Sequence, residues 1–119
     1  MDSGRLGRWG ETLAAEYLRA KQYEIIGANY RTRHGEIDII ATCGGYVAFV
    51  EVKLRKNRRF ADAREFVTPL KRQKILAAAQ MWLSENETGL QPRFDVIEIY
   101  APLGEKTPRM EIYHIEDAF

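Results

Sequence analysis

Gly35-Glu36-Ile37-Asp38-Ile39-Ile40-Ala41-Thr42-Cys43-Gly44-Gly45-Tyr46-Val47-Ala48-Phe49-Val50-Glu51-Val52-Lys53 is the stretch that decides the fold. It reads as two apolar, β-branched strands joined at Gly44-Gly45, a pair of residues that tolerates the positive φ of a tight hairpin turn. Side chains on a strand alternate between faces, so Glu36, Asp38 and Ile40 are expected on one side and Ile37 and Ile39 on the other. On the second strand the same rule groups Val47, Phe49, Glu51 and Lys53, opposite Ala48, Val50, Val52 and Leu54. Glu51 and Lys53 then point the same way, roughly 6–7 Å apart along the strand. Asp38 on the partner strand can face the same space. Charges at this density inside apolar strands need partners, because burying unpaired charge is costly.

Outward from the hairpin, the chain has 119 residues, which suits one domain spanning 1–119. It is 45% hydrophobic and 29% charged, an ordinary balance for a globular protein with one core. No apolar run approaches the ~20 residues of a membrane span, and the N-terminus lacks the apolar segment of a secretion signal. The expected location is the cytoplasm, with no membrane partner. Cys43 is alone, so an internal disulfide or a cysteine zinc cluster is excluded. The net charge of +1 says little about nucleic acid, but its distribution says more. Lys53-Leu54-Arg55-Lys56-Asn57-Arg58-Arg59 carries five basic residues and no acid, directly after the hairpin. Such a run is either a solvated loop or, beside a carboxylate site, a grip on a phosphate backbone.

Before the hairpin, Arg5 to Gln22 has the periodicity of an amphipathic helix, with Leu6, Trp9, Leu13, Ala14, Tyr17 and Leu18 on its apolar side. Gly7 and Gly10 weaken its first turns; they either let another backbone approach or mark a frayed end. Glu11 lies at the rim of the apolar stripe. Tyr23 to Tyr30 reads as a short strand. Arg31 to His34 is a polar connector, and His34 is a weak candidate base or ligand.

After the basic run, Thr68-Pro69 is a helix start, with Thr as N-cap and Pro in the first turn. The helix is expected to run to about Glu87 and to close at Gly89, burying Ile75, Leu76, Ala79, Trp82 and Leu83. Lys71 and Lys74 share a side near its beginning and are either solvated or phosphate contacts. Arg93 to Ala101 is a further strand, where Asp95 reads as a strand-end charge paired with a nearby base. Met110 to Ile115 closes the chain. The expected fold is therefore α/β: a mixed sheet of about five strands flanked by two main helices, in the order α-β-β-β-α-β-β.

Asp38 and Glu51 offer hard oxygen ligands of the kind Mg²⁺ takes, and the Val52 carbonyl and Glu11 are further candidates. Lys53 is placed to orient water or to neutralise charge on a phosphate. These parts suit metal-assisted phosphodiester hydrolysis. No Ser/His/Asp set, phosphate-loop glycine pattern or His-Glu-x-x-His motif is present. Spacing alone leaves cross-strand salt bridging as the competing explanation.

Gly10-Glu11, Asn29, Gly35-Glu36-Ile37-Asp38, Phe49-Val50-Glu51-Val52-Lys53-x-Arg55, Lys71, Arg93-Phe94-Asp95 and the terminal Ala118-Phe119 together resemble the bacterial YraN-type family of uncharacterised proteins. That family is similar to the PD-(D/E)xK nucleases and to archaeal Holliday-junction resolvases. The resemblance covers nearly the whole chain. It implies a restriction-endonuclease-like core, with Asp38, Glu51 and Lys53 as the acid, acid and lysine of the motif and Glu11 as the first-helix glutamate of the resolvases. Ile37 stands where the motif has its proline. The implied activity is a Mg²⁺- or Mn²⁺-dependent DNA endonuclease acting on branched or structured DNA, with Asp38, Glu51, Val52 and Glu11 at the metal. DNA would lie along Arg55, Lys56, Arg58, Arg59, Lys71 and Lys74, and two opposed cuts suggest a homodimer. The competing classes are a nucleic-acid-binding module that does not cut, and a protein-interaction partner in DNA processing that uses aromatic residues such as Tyr113 and Phe119.

Overall fold

The computed structural model of the protein describes residues 3–56 and 68–119. The elements follow in the order α1 (Ser3–Ala20), β1 (Glu24–Thr32), β2 (Gly35–Cys43), β3 (Tyr46–Arg55), α2 (Pro69–Glu85), β4 (Gln91–Tyr100), a 3₁₀ turn (Gly104–Lys106) and β5 (Glu111–Ile115). The strands form one five-stranded sheet in the spatial order β1-β2-β3-β4-β5. Neighbours pair antiparallel except β3 and β4, which run parallel. That exception follows from the helix between them, since a tight turn cannot return the chain in the same direction. This is the mixed, two-helix, restriction-endonuclease-like arrangement expected from the sequence.

Both faces of the sheet are covered. Against α2 lie Val47 and Phe49 of β3, Val96 of β4, and Ile37 and Ile40 of β2, packed on Ile75, Ala78, Ala79 and Trp82. Against α1 lie Ala48 and Val50, Ile97 and Ile99, and Ile39 and Ala41, packed on Ala14 and Leu18. β3 is therefore a doubly covered central strand, which is why it reads as nearly continuous apolar sequence until Glu51. The hairpin turn uses positive φ only at Gly44, at +59°.

Three expectations need correction. First, Ile37 joins the α2-side cluster with Ile40, while Ile39 lies on the α1 side. Simple alternation fails because the sheet is distorted at Asp38. Asn29, at the β1 position between the pairs Ala28–Ile39 and Tyr30–Ile37, has a φ of +52°. Second, α2 ends at Glu85, slightly before the expected Glu87, and closes at Asn86 rather than Gly89: the backbone N–H and the side-chain amide of Asn86 both donate to the Trp82 carbonyl at 2.9 Å. Third, Leu76 is 42% exposed, because the buried stripe runs through Ile75, Ala78, Ala79 and Trp82 and leaves position 76 outside it.

Gly35 fixes how closely α2 lies on the sheet. A Cβ there would come within 2.9 Å of the Lys74 Cβ and closer still to the Lys74 carbonyl oxygen. Only a glycine lets the backbone of α2 rest on the start of β2. Tyr30 ties the other end of the helix by donating to Glu85 at 2.5 Å.

Candidate functional site

The β2–β3 ladder runs from Cys43–Tyr46 to Ile39–Val50 and stops there. One residue further, Asp38 replaces the ladder with its side chain: its carboxylate accepts the Val52 N–H at 2.8 Å. Asp38 is also close enough to Glu51 for the two charges to act on each other. The two acids are thus brought together where the central strands part, at the edge of the core. Val52 is held from two directions, its amide by Asp38 and its side chain near Gly10 of α1.

Glu51 is buried, and two ammonium groups neutralise it. Lys53 Nζ lies 3.5 Å from its Oε1 and Lys71 Nζ lies 2.5 Å from the same atom. Lys53 comes from the same strand, two residues on. Lys71 comes from the first turn of α2, where its backbone N–H is the donor that the Thr68 cap hydroxyl accepts at 3.2 Å. The cap that starts the helix therefore also positions the lysine. Sequence reasoning counted Lys71 among the phosphate contacts; the structure brings it into the acid site itself.

Electrostatics follow from this crowding. Burial, and then the Glu51 charge, push the Asp38 carboxyl up to about 7; the Val52 N–H opposes the rise and the charge of Glu11 adds to it. Burial pulls the Lys53 amine below its usual value, and the Lys71 ammonium beside it pulls the same way, with Glu51 opposing. Burial also pulls on Lys71, but hydrogen bonds to Glu51 and Lys53 outweigh it and leave its pKa raised. The result is two carboxylates and two amines gathered where each shifts the titration of another.

Glu11 is half-buried on α1. It is close enough to Asp38 to act on it through space, and it lines a cleft of about 320 Å³ together with Asn29 and Ile39. Among the described residues, no group of three or more His, Cys, Asp or Glu side chains is gathered tightly enough to hold a metal ion. The acid pair offers only oxygen donors, the kind a hard divalent cation takes.

The expected nucleic-acid contacts divide. Lys56 and Lys74 are exposed. Arg55 lies 3.6 Å from Glu98, with 13% of its side chain exposed, so it is turned toward β4. Arg58 and Arg59 lie outside the described residues. His34 is exposed in the β1–β2 turn and takes no part in the acid site.

Asp95 is where sequence reasoning fell shortest. It is fully buried. It accepts two hydrogen bonds from Arg93, at 2.9 and 2.8 Å, one from the Asp117 N–H at 3.1 Å, and it meets His114 Nε2 at 2.8 Å. Burial alone would raise its pKa, but these contacts outweigh burial and hold the carboxyl below the usual range. Arg93 also donates to the Tyr23 hydroxyl at 2.6 Å. This network joins β4, β5 and the connection between α1 and β1, and it lies on the α1 side of the sheet.

Residues 10–99 match the profile of "Uncharacterised protein family UPF0102". The chain belongs to that family. A UPF0102 protein of Christiangramia forsetii is 39% identical over 118 residues, covering 99% of this chain and 96% of the relative. One from Chlorobium chlorochromatii is 42% identical over 116 residues, covering 96% and 90%. One from Geotalea daltonii is 43% identical over 119 residues, covering 99% and 91%. This UPF0102 protein therefore matches its relatives along nearly their whole length. Among the described residues, no helix is long and apolar enough to cross a membrane.

Proposed function

We propose that this UPF0102 protein is a single nuclease-like domain that hydrolyses DNA phosphodiester bonds, with Mg²⁺ or Mn²⁺ held at Asp38 and Glu51. The observation that carries the reading is the meeting of Asp38, Glu51 and Lys53 where β2 and β3 part. Mg²⁺ is commonly bound by only one or two carboxylates together with waters, so an acid pair is a sufficient protein contribution. The Val52 carbonyl and Glu11 are the additional oxygen donors in this proposal. A bound divalent ion supplies Lewis-acid polarisation of a phosphoryl oxygen and a more acidic water. Asp38 and Glu51 fix the position of that charge. Lys53, with its amine held beside Glu51, orients the attacking water or stabilises negative charge on the phosphate. Lys71 contributes a second positive charge at the same place.

Lys56, Lys74 and the basic residues after β3 would carry the flanking backbone, and Arg55 would join them by leaving Glu98. Branched or otherwise structured DNA is the proposed substrate, a homodimer the proposed assembly and the cytoplasm the proposed location. The test is a panel of junction, flap, single-stranded and linear DNA incubated with purified protein, with metal or with EDTA. Metal-dependent cleavage abolished by Asp38→Ala and by Glu51→Ala is expected. Folded protein that cuts no substrate in the panel overturns the reading.

One observation favours a second reading, a nucleic-acid-binding module that does not cut: Glu51 is already neutralised by two lysines. Salt-sensitive DNA binding that survives Glu51→Ala, without cleavage by the wild type, would select it.

A further inference from the structure

We propose that the β1–β2 turn and the second turn of α2 form a binding site for the phosphate backbone of nucleic acid, separate from the acid pair and flanking it. The inference rests on the nucleic-acid part of the function proposed above and assigns a binding role to Arg33 and His34, which the motif of acids and lysine does not include. Arg31, Arg33, His34, Gly35, Glu36 and Lys74 line a recess of about 300 Å³. The side chains of Arg31, Arg33, His34 and Lys74 are exposed, as is that of Glu36, the lining carboxylate. Arg31 meets Glu36 at 3.4 Å and is partly neutralised. Among the described residues, Arg33 and Lys74 have no ion-pair partner, so the recess carries uncompensated positive charge.

The two walls of the recess are held in place before any ligand arrives. Thr32 Oγ1 accepts the N–H groups of His34 at 3.0 Å and Gly35 at 3.1 Å, and donates to the Gly35 carbonyl at 3.0 Å. That closes the turn. The close seating of the Lys74 backbone on Gly35 fixes the other wall. A preorganised cationic concavity loses little freedom on binding an extended polyanion.

Its position matches that ligand. Lys74 is one helical turn beyond Lys71, a rise of about 4.5 Å. Gly35 is three residues before Asp38, about 10 Å along the strand. The recess therefore lies about three base steps from the acid pair, at ~3.4 Å per step. Backbone phosphates beside a cut at Glu51 would pass over it.

The experiment measures binding, in EDTA so that no cleavage intervenes, of a fluorescein-labelled duplex and of a labelled four-way junction across a salt series. The full chain is compared with Arg33→Ser/Lys74→Ser. A control, Lys106→Ser/Arg109→Ser, removes the same charge from exposed positions on the β4–β5 side. Loss of two phosphate contacts is expected to reduce the salt slope by about 1.8 and to weaken binding at least tenfold at low salt, with the control within twofold of wild type. In the wild-type protein, duplex should also protect Lys74 from acetylation by an activated ester, a readout that needs no variant. Equal losses in the two double variants together with an unprotected Lys74, or no binding of either probe by the wild type, overturn the proposal. Failure of the hydrolase reading appears separately, as absence of metal-dependent cleavage while the binding result stands.

Discussion

Lys71 Nζ lies 2.5 Å from Glu51 Oε1, joining the first turn of α2 to the central strand β3 at the candidate site. An ammonium and a divalent cation that share one carboxylate compete for it. Lys71→Met is therefore expected to tighten Mn²⁺ binding, measured by calorimetry, by up to about fivefold, the ~1 kcal/mol upper end for a partly exposed pair. The same variant should cleave more slowly, because a positive charge beside the phosphate is lost. Unchanged or weaker Mn²⁺ binding would show that the metal does not use Glu51.

Asp38 gives a pH signature. Its carboxyl is pushed up to about 7 by burial and by Glu51, whereas an unfolded aspartate titrates near ~3.9. Between those values the folded state holds a proton that the unfolded state has released. Metal-free stability is therefore expected to fall as pH rises from about 4 to about 7, then to level off. Asp38→Asn should remove this slope, and saturating Mg²⁺ should reduce it by favouring the charged form. Chemical denaturation at a series of pH values measures all three curves. A metal-free wild type whose stability rises across that window contradicts the placement of the two acids.

Asp95 predicts a structural rather than a catalytic phenotype. Asp95→Ala would leave the Arg93 guanidinium and His114 without their buried partner. Removing one side of a buried charge pair costs about 3–5 kcal/mol. A large drop in the urea midpoint is expected. Because, among the described residues, the network shares no hydrogen bond or ion pair with Asp38, Glu51, Lys53 or Lys71, cleavage per folded molecule should be retained at low temperature.

The hairpin from Gly35 to Lys53 and the order of elements were legible because alternation, the Gly44 turn and the Thr68-Pro69 start are local signals. Strand parity puts Glu51 and Lys53 on one face, and they do lie side by side; Asp38 is singled out by residue type and family resemblance, since alternation fails at its position. What was not legible depends on distant residues. Asp95 looks like a strand-end charge until Tyr23, His114 and Asp117 arrive around Arg93 and its own carboxylate. Ile37 breaks parity next to Asp38, across from the β1 position where Asn29 takes a positive φ. Lys71 reaches Glu51 only because α2 packs back onto the sheet, and no spacing in the sequence states that placement.

Gly35 links the seating of α2 to the site, and one substitution tests the link. The Cβ of Gly35→Ala would meet the backbone of α2 at Lys74, which is not the movable end of a side chain. The helix must shift or the strand must bend, and overpacking of this kind costs about 1–3 kcal/mol. Lys71 is one turn away on the same rigid helix, so displacement of Lys74 should also lengthen the Lys71–Glu51 contact. Gly35→Ala is therefore expected to lower the melting temperature and, like Lys71→Met, to tighten Mn²⁺ at Glu51 while slowing cleavage. Lys74→Ala keeps the glycine and should do neither of the first two. If Gly35→Ala melts like wild type, α2 is not seated on β2 through this glycine, and the position of Lys71 needs another cause.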